Sequence, residues 1–190
     1  MNRLVVALGN PGSQYANTRH NVGWMVLDKF SREYSLNWKN KFKGEYSDYS
    51  VSGDKVYFLK PYTYMNLSGE SVVDAITFFK IKIQDVLVVH DELDLPFGTI
   101  AFKKGGGHAG HNGLRSIGEL SGSLDFQRLR VGIGRPERGT VSNWVLSPFS
   151  TDEKIQLDSF IDLAFDSLNC YVKNGFEKAS SQYSKKSIGA

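Results

Sequence analysis

Leu4-Val5-Val6-Ala7-Leu8-Gly9-Asn10-Pro11-Gly12 is the stretch on which the fold turns. Its unbroken apolar run reads as a buried strand. Gly9, Pro11 and Gly12 end that strand abruptly, because Gly admits positive φ and Pro fixes its own. Ser13-Gln14-Tyr15-Ala16-Asn17-Thr18-Arg19-His20-Asn21 follows, and Val22-Gly23-Trp24-Met25-Val26-Leu27 then reads as a helix. Strand, sharp polar loop and helix in that order open an α/β sheet, and the loop lies beyond the carboxyl end of its strand, where such sheets bind ligands. Asn10, Tyr15, Arg19 and His20 give it more polar chemistry than a plain connector needs.

The spacing of Gly9 and Gly12 is not the dinucleotide fingerprint, and no Gly-Lys-Ser/Thr follows, so phosphate-loop chemistry is not indicated. His20, near a helix start, reads as a neutral imidazole, since a helix N-terminus disfavours added positive charge. A neutral imidazole can act as a general base on water. The competing reading is a histidine that caps its helix or closes a turn.

Working outward, Glu45–Val51 and Lys55–Lys60 read as a hairpin about Ser52-Gly53-Asp54, and Ser68–Phe79 as a helix carrying Val72, Val73, Ile76 and Phe79. Val86-Leu87-Val88-Val89 is an apolar run of the kind found in a central strand covered on both faces, with His90-Asp91-Glu92-Leu93-Asp94 at its carboxyl end. Thr99–Lys104 reads as a short strand, Gly105–Gly113 as a flexible loop and Leu114–Leu120 as a short helix. Arg128–Gly134 alternates, with Leu129, Val131 and Ile133 on one face and Arg128 and Arg130 on a solvent face. A long helix starts near Ser150, where Ser150 and Glu153 have capping-box spacing, and stops at Asn174-Gly175. Residues 176–190 read as a frayed tail, and Lys39, Lys41 and Lys43 as a solvated loop. Interleaved strands and helices with one hairpin predict a single α/β domain over 1–190, built on a mixed central sheet flanked by helices.

Composition narrows the class. The chain has 190 residues, 41% hydrophobic and 23% charged, as in an ordinary globular domain able to bury a core without disulfides. A net charge of +3 demands no polyanionic partner but allows a local basic patch. The single Cys170 suggests a reducing compartment, and the start Met1-Asn2-Arg3 has no signal-peptide architecture. No apolar run approaches the ~18 residues of a membrane helix. The expectation is a cytoplasmic protein that engages no membrane.

Four polar segments fall at strand ends or helix starts: Asn10–Asn21, Met65-Asn66, His90–Asp94 and Gly105–Gly113. If they converge, Asp91 can orient His20, with Asn10, Asn66 and Asn112 nearby as neutral donors, a set suited to water attack on an acyl carbonyl. His90, Asp91, His108 and His111 allow a metal site as an alternative, although no Cys pair or His-Glu-x-x-His accompanies them. Gly105–Gly113 and Leu146–Thr151 have the composition of lids. No Gly-x-Ser-x-Gly is present, and Cys170 lies in the last long helix, so direct attack by water is the simpler chemistry.

Five motifs, Leu8-Gly9-Asn10-Pro11-Gly12 with Thr18-Arg19-His20-Asn21, Lys60-Pro61 with Met65-Asn66-Leu67-Ser68-Gly69, His90-Asp91-Glu92-Leu93-Asp94, Gly106-Gly107-His108 with Gly110-His111-Asn112-Gly113-Leu114, and Arg128–Pro136, run in the order found in bacterial-type peptidyl-tRNA hydrolase, which the chain closely resembles over about residues 4–148. The resemblance implies hydrolysis of the ester joining a peptide to the 3′ end of tRNA. By that likeness His20 is the general base, Asp91 holds it, and Asn10 and Asn66 position water and the peptidyl group. Asn112, Tyr15 and Met65 belong to the substrate site, and Lys103 and Arg130 grip the tRNA 5′ phosphate. The resemblance further implies a monomer that needs no metal or other cofactor. Ala109 departs from the family pattern, which commonly has glycine there. Two other classes stay open: a non-catalytic tRNA- or ribosome-binding relative, and a hydrolase of small esters or peptides.

Overall fold

The computed structural model describes residues 1–189. In chain order its elements are β1 (Arg3–Ala7), α1 (Val22–Tyr34), β2 (Lys39–Lys41), β3 (Gly44–Val51), β4 (Asp54–Pro61), α2 (Ser68–Phe79), β5 (Val86–Glu92), β6 (Thr99–Lys104), α3 (Asn112–Ser121), β7 (Gln127–Gly132), α4 (Val141–Val145), α5 (Thr151–Asn174), α6 (Phe176–Gln182) and β8 (Lys186–Ser187). Single 3₁₀ turns precede α1 and α2, at Arg19–Asn21 and Met65–Leu67.

Alternation along β1 builds two cores at once, because successive strand side chains point to opposite faces. Val5 and Ala7 pack with Val22, Val26 and Phe30 of α1 and Phe160, Ala164 and Leu168 of α5. Leu4, Val6 and Leu8 pack with Val72 and Ala75 of α2 and Leu114 and Ile117 of α3. β5 divides in the same way, Leu87 and Val89 to the first core and Val86 and Val88 to the second, as expected of a strand covered on both sides.

The strand order is β2-β3-β4-β1-β5-β7-β6-β8. The four central strands, β4, β1, β5 and β7, run parallel, while the flanking pairs on both sides are antiparallel. The sheet is therefore mixed at two edges, not only at the expected hairpin. The loops after β1, β4 and β5 leave the carboxyl edge of the parallel strands, and the Gly-rich loop after the antiparallel β6 crosses back to bring His111 to Asp91 there.

Three expectations need correction. The tail does not fray over its described residues: Phe176 and Ala179 of α6 join the first core, and Lys186 and Ser187 pair with Ile100 and Thr99 of β6. The physical reason is an unpaired β6 edge, whose backbone groups need partners. Ala190 lies outside the described residues. Lys39–Lys41 forms an edge strand on β3 instead of a loop, with all three residues exposed. Arg128 is not on a solvent face. It is 3% exposed, and its guanidinium donates to the carbonyls of Gly106 and Gly107 at 2.6 Å each.

Candidate active site

The turn after β1 is shaped by close approach. A β-carbon on Gly9 would stand 2.5 Å from the Trp24 ring, so the strand can end here only without a side chain. Trp24 in turn donates its indole N–H to the Ala7 carbonyl at 2.9 Å. Asn10 and Asn21 then lock the loop to itself: Asn10 N–H donates to Asn21 Oδ1, and Asn21 Nδ2 donates to the Asn10 carbonyl, both at 2.9 Å. Asn21, 1% exposed, was not singled out from the sequence, although it sits beside His20 in a polar quartet.

Across the crevice, Met65 N–H donates to Asn10 Oδ1 at 2.7 Å. That bond fixes the orientation of the Asn10 amide and leaves its Nδ2 to donate. It also joins two of the expected segments directly. Met65 itself is buried, its sulfur and the Leu8 side chain both so close to Gly113 that a β-carbon there would lie 2.7 Å from each. Tyr64, at φ 65°, presents an exposed ring edge-on to Tyr15, 6.4 Å between centroids. Asn66 is exposed beside them.

Asp91, at the carboxyl end of β5 and 3% exposed, is the meeting point. Its Oδ2 lies 2.7 Å from His20 Nδ1 and its Oδ1 lies 2.8 Å from His111 Nε2. His111 Nδ1 accepts the N–H groups of Gly113 and Leu114 at the start of α3, so its proton sits on Nε2 and points at Asp91. The sequence offered His111 only as a metal ligand. Histidine is not among the residues that mark an N-cap, so its capping of α3 had no sequence signal, and its contact with Asp91 is long-range and could not be read.

Burial lowers the affinity of His20 for a proton, but the Asp91 charge and hydrogen bond outweigh it, and the pKa is raised above 6.5. This differs from the neutral imidazole expected of a helix start, because the carboxylate acts at hydrogen-bond distance and the helix dipole does not. Asp91 also pays for burial, yet the two histidines hold its carboxyl well below the usual carboxylate range. His90 donates from Nδ1 to the Asp91 carbonyl at 2.8 Å, and burial pushes its pKa down to about 3.

His20, Asp91 and His111 bring their ligand atoms within 4.8 Å of one another, the metal-like cluster among the described residues. The larger group that the sequence allows as an alternative does not assemble: His90 is turned to the Asp91 carbonyl and His108 accepts from Gly110 N–H. The cluster also fits a metal poorly. His111 would have to lose its Nε2 proton while both backbone donors keep hold of Nδ1.

A cavity of about 470 Å³ opens beside the cluster, lined by His20, Asp91, Asn112, Lys103 and Arg130 and by Val141, Ser142 and Val145 of α4. Lys103 is exposed, and Arg130 lies 3.9 Å from Glu92. Asn112 is exposed and its Oδ1 accepts from Arg115. The expected residues thus form two adjoining zones. Asn10, Tyr15, Met65 and Asn66 stand outside the cavity lining, and His20 stands where β1's loop meets both.

Fold and site together define a hydrolytic enzyme built on a mixed α/β sheet. The sequence profile described as peptidyl-tRNA hydrolase matches residues 4–189. The chain is 48% identical over 187 residues to the peptidyl-tRNA hydrolase of Geotalea uraniireducens, covering 98% of each chain. It is 47% identical over 180 residues to that of Citrifermentans bemidjiense, covering 94% of this chain and 96% of the other. The crystal structure of the Acinetobacter baumannii peptidyl-tRNA hydrolase superposes with a TM-score of 0.88 at 41% identity, over 95% of this chain and 93% of that one. This chain belongs to the peptidyl-tRNA hydrolase family.

Proposed function

We propose that the protein hydrolyses the ester between a peptide, or an N-blocked amino acid, and the 3′ end of tRNA, with His20 as general base. The observation that carries this reading is the Asp91 carboxylate shared between His20 Nδ1 and His111 Nε2. With Nδ1 held, His20 offers Nε2 to a water molecule. The water loses its proton to Nε2 as its oxygen bonds to the ester carbonyl carbon. The imidazolium, stabilised by Asp91, then returns that proton to the departing ribose oxygen as the ester bond breaks. Asn10, whose Nδ2 is left free by its bond to Met65, donates to the peptidyl group, and Asn66 and Asn112 extend that row of neutral donors. Tyr15 and Met65 flank the peptide side. Lys103 and Arg130 hold the 5′ phosphate, a contact that positions a nucleic acid without reading its sequence.

No metal or other cofactor enters this scheme, and the protein acts as a monomer in the cytoplasm. No described helix is long and apolar enough to cross a membrane.

The test is release of free tRNA from N-acetyl-Phe-tRNA by wild type and His20→Ala, with and without EDTA. Turnover by folded wild type alone, indifferent to EDTA, is expected. Loss of turnover to EDTA would move the chemistry to a metal, and no turnover by folded wild type would leave a tRNA-binding relative. Lys103→Ala and Arg130→Ala are expected to raise KM more than they lower kcat and to weaken the salt dependence of capture. An unchanged KM would count against the phosphate clamp.

A further inference from the structure

Arg19 immediately precedes His20, yet it is 3% exposed and reaches away from the cavity. Its guanidinium carbon lies 3.4 Å from the centre of the Trp144 ring, with Phe149 beyond at 5.8 Å. One terminal nitrogen donates to the Trp144 carbonyl at 3.3 Å and the other to Glu153 Oε1 at 2.8 Å. The same Glu153 oxygen accepts Ser150 N–H at 2.8 Å, within the capping box of α5. The backbone adds two more ties: Arg19 N–H donates to the Ser147 carbonyl at 3.0 Å, and Thr18 bridges to Pro148. Trp144 is held at its far side by an indole N–H donated to the Gly134 carbonyl at 2.8 Å.

These contacts converge on one segment, Val141 to Glu153. That segment supplies Val141, Ser142 and Val145 to the lining of the cavity that His20 also lines. α4 has only five residues, too few to be stable alone, so its place depends on what grips it. A buried guanidinium with one N–H, Nε, left without a partner is a costly way to fill space that an apolar side chain would fill as well. Its fork geometry specifies direction, which an apolar contact does not.

We propose that Arg19 is a positioning residue. It clasps the Val141–Glu153 segment onto the turn that carries His20, so that the base and the α4 side of the cavity keep fixed places relative to each other. Leu146–Thr151, a lid by composition, is thereby a latched wall. The proposal rests on His20 being the base.

The experiment compares wild type, His20→Ala, Arg19→Lys and Glu153→Gln on N-acetyl-Phe-tRNA, with amide hydrogen exchange measured on the same folded proteins. Arg19→Lys keeps the charge but loses the fork and the stacking. It is expected to lower kcat on the order of tenfold to a hundredfold, the scale of an ångström-sized misplacement, with KM within about threefold. Amides of 141–150 should exchange faster while those of the central strands do not. Glu153→Gln should give the same pattern in weaker form and retain its fold if Arg19→Lys does not. Wild-type kcat in both variants would overturn the proposal. So would a raised KM at unchanged kcat, or exchange that accelerates uniformly as in general destabilisation. Wild-type turnover that survives His20→Ala would overturn the base assignment instead, with the exchange pattern still deciding whether the clasp exists.

Discussion

Asp91 accepts from one imidazole on each oxygen, and this sets the pH behaviour of the site. His20 must be deprotonated to act, and its pKa is raised above 6.5. The acid limb of kcat/KM, which reports the free enzyme, is therefore expected to turn over above pH 6.5. In Asp91→Asn the charge is gone and burial remains, so the limb should move below 6.5 as the rate falls; a limb that stays put would belong to another group. The stability terms have opposite signs. The raised His20 contributes stability fully present below pH 6.5 and lost as pH rises through its folded pKa, while the depressed Asp91 contributes stability present above 3.8 and lost as pH falls through its folded value. Ala109 makes a smaller statement. It sits at φ 49°, a conformation that costs a residue with a β-carbon about 1–2 kcal/mol. Glycine would remove that strain and loosen the unfolded chain, so Ala109→Gly is expected to stabilise by no more than about 1 kcal/mol in thermal melts. A clear loss of stability would mean that the methyl group packs.

At the scale of elements, Arg128 ties the Gly-rich loop to β7. Its two terminal nitrogens reach Gly106, Gly107 and Leu124 carbonyls, so the loop is held from beneath by a strand that follows it in the chain. Arg128→Ala is expected to cost about 2–3 kcal/mol, the scale of the charge-assisted bonds it removes, and to speed exchange through residues 105–111. Arg128→Lys should not restore protection, because a single ammonium cannot serve diverging carbonyls. Unchanged exchange in Arg128→Ala would show that the loop holds its own shape. The sequence made part of this legible. Alternation placed Leu129, Val131 and Ile133 in the core, and strand ends marked Asn10, Met65, Asp91 and the Gly-rich loop as the places where a site could form. It could not say what Arg128 or Arg19 would meet, because both reach segments that only the folded sheet brings near. His111 was visible as a histidine but not as the link between α3 and Asp91, since both of its ring nitrogens act through three-dimensional contacts.

At the scale of the molecule, the sheet is complete only with its last segment. Phe176 meets Phe102 edge-on at 5.8 Å, Ala179 is fully buried, and Ile188 N–H donates to the Gly98 carbonyl at 2.9 Å. This part was not legible, because its apolar residues are sparse among lysines and serines and its strand is only two residues long. Deleting residues 176–190 is expected to cost at least about 3 kcal/mol, the scale of one or two large side chains returned to water. The bared β6 should also make the protein self-associate, as sedimentation would show. A monomer of undiminished stability would mean that the tail only rests on the sheet. The same arrangement orders events in time. Thr99 and Ser187, bonded side chain to side chain, are 88 residues apart in sequence. The central pairing of β1 with β5 spans nearly as much chain, Leu4 with Val86, so loop length does not separate the two, and it is the order of synthesis that puts the closing of the β6 edge last. A nascent chain therefore holds the strand bearing Lys103 with a raw edge while the central strands are already in place. Its most vulnerable moment falls just before synthesis delivers β8, and a chaperone that covers a sheet edge would act in that interval.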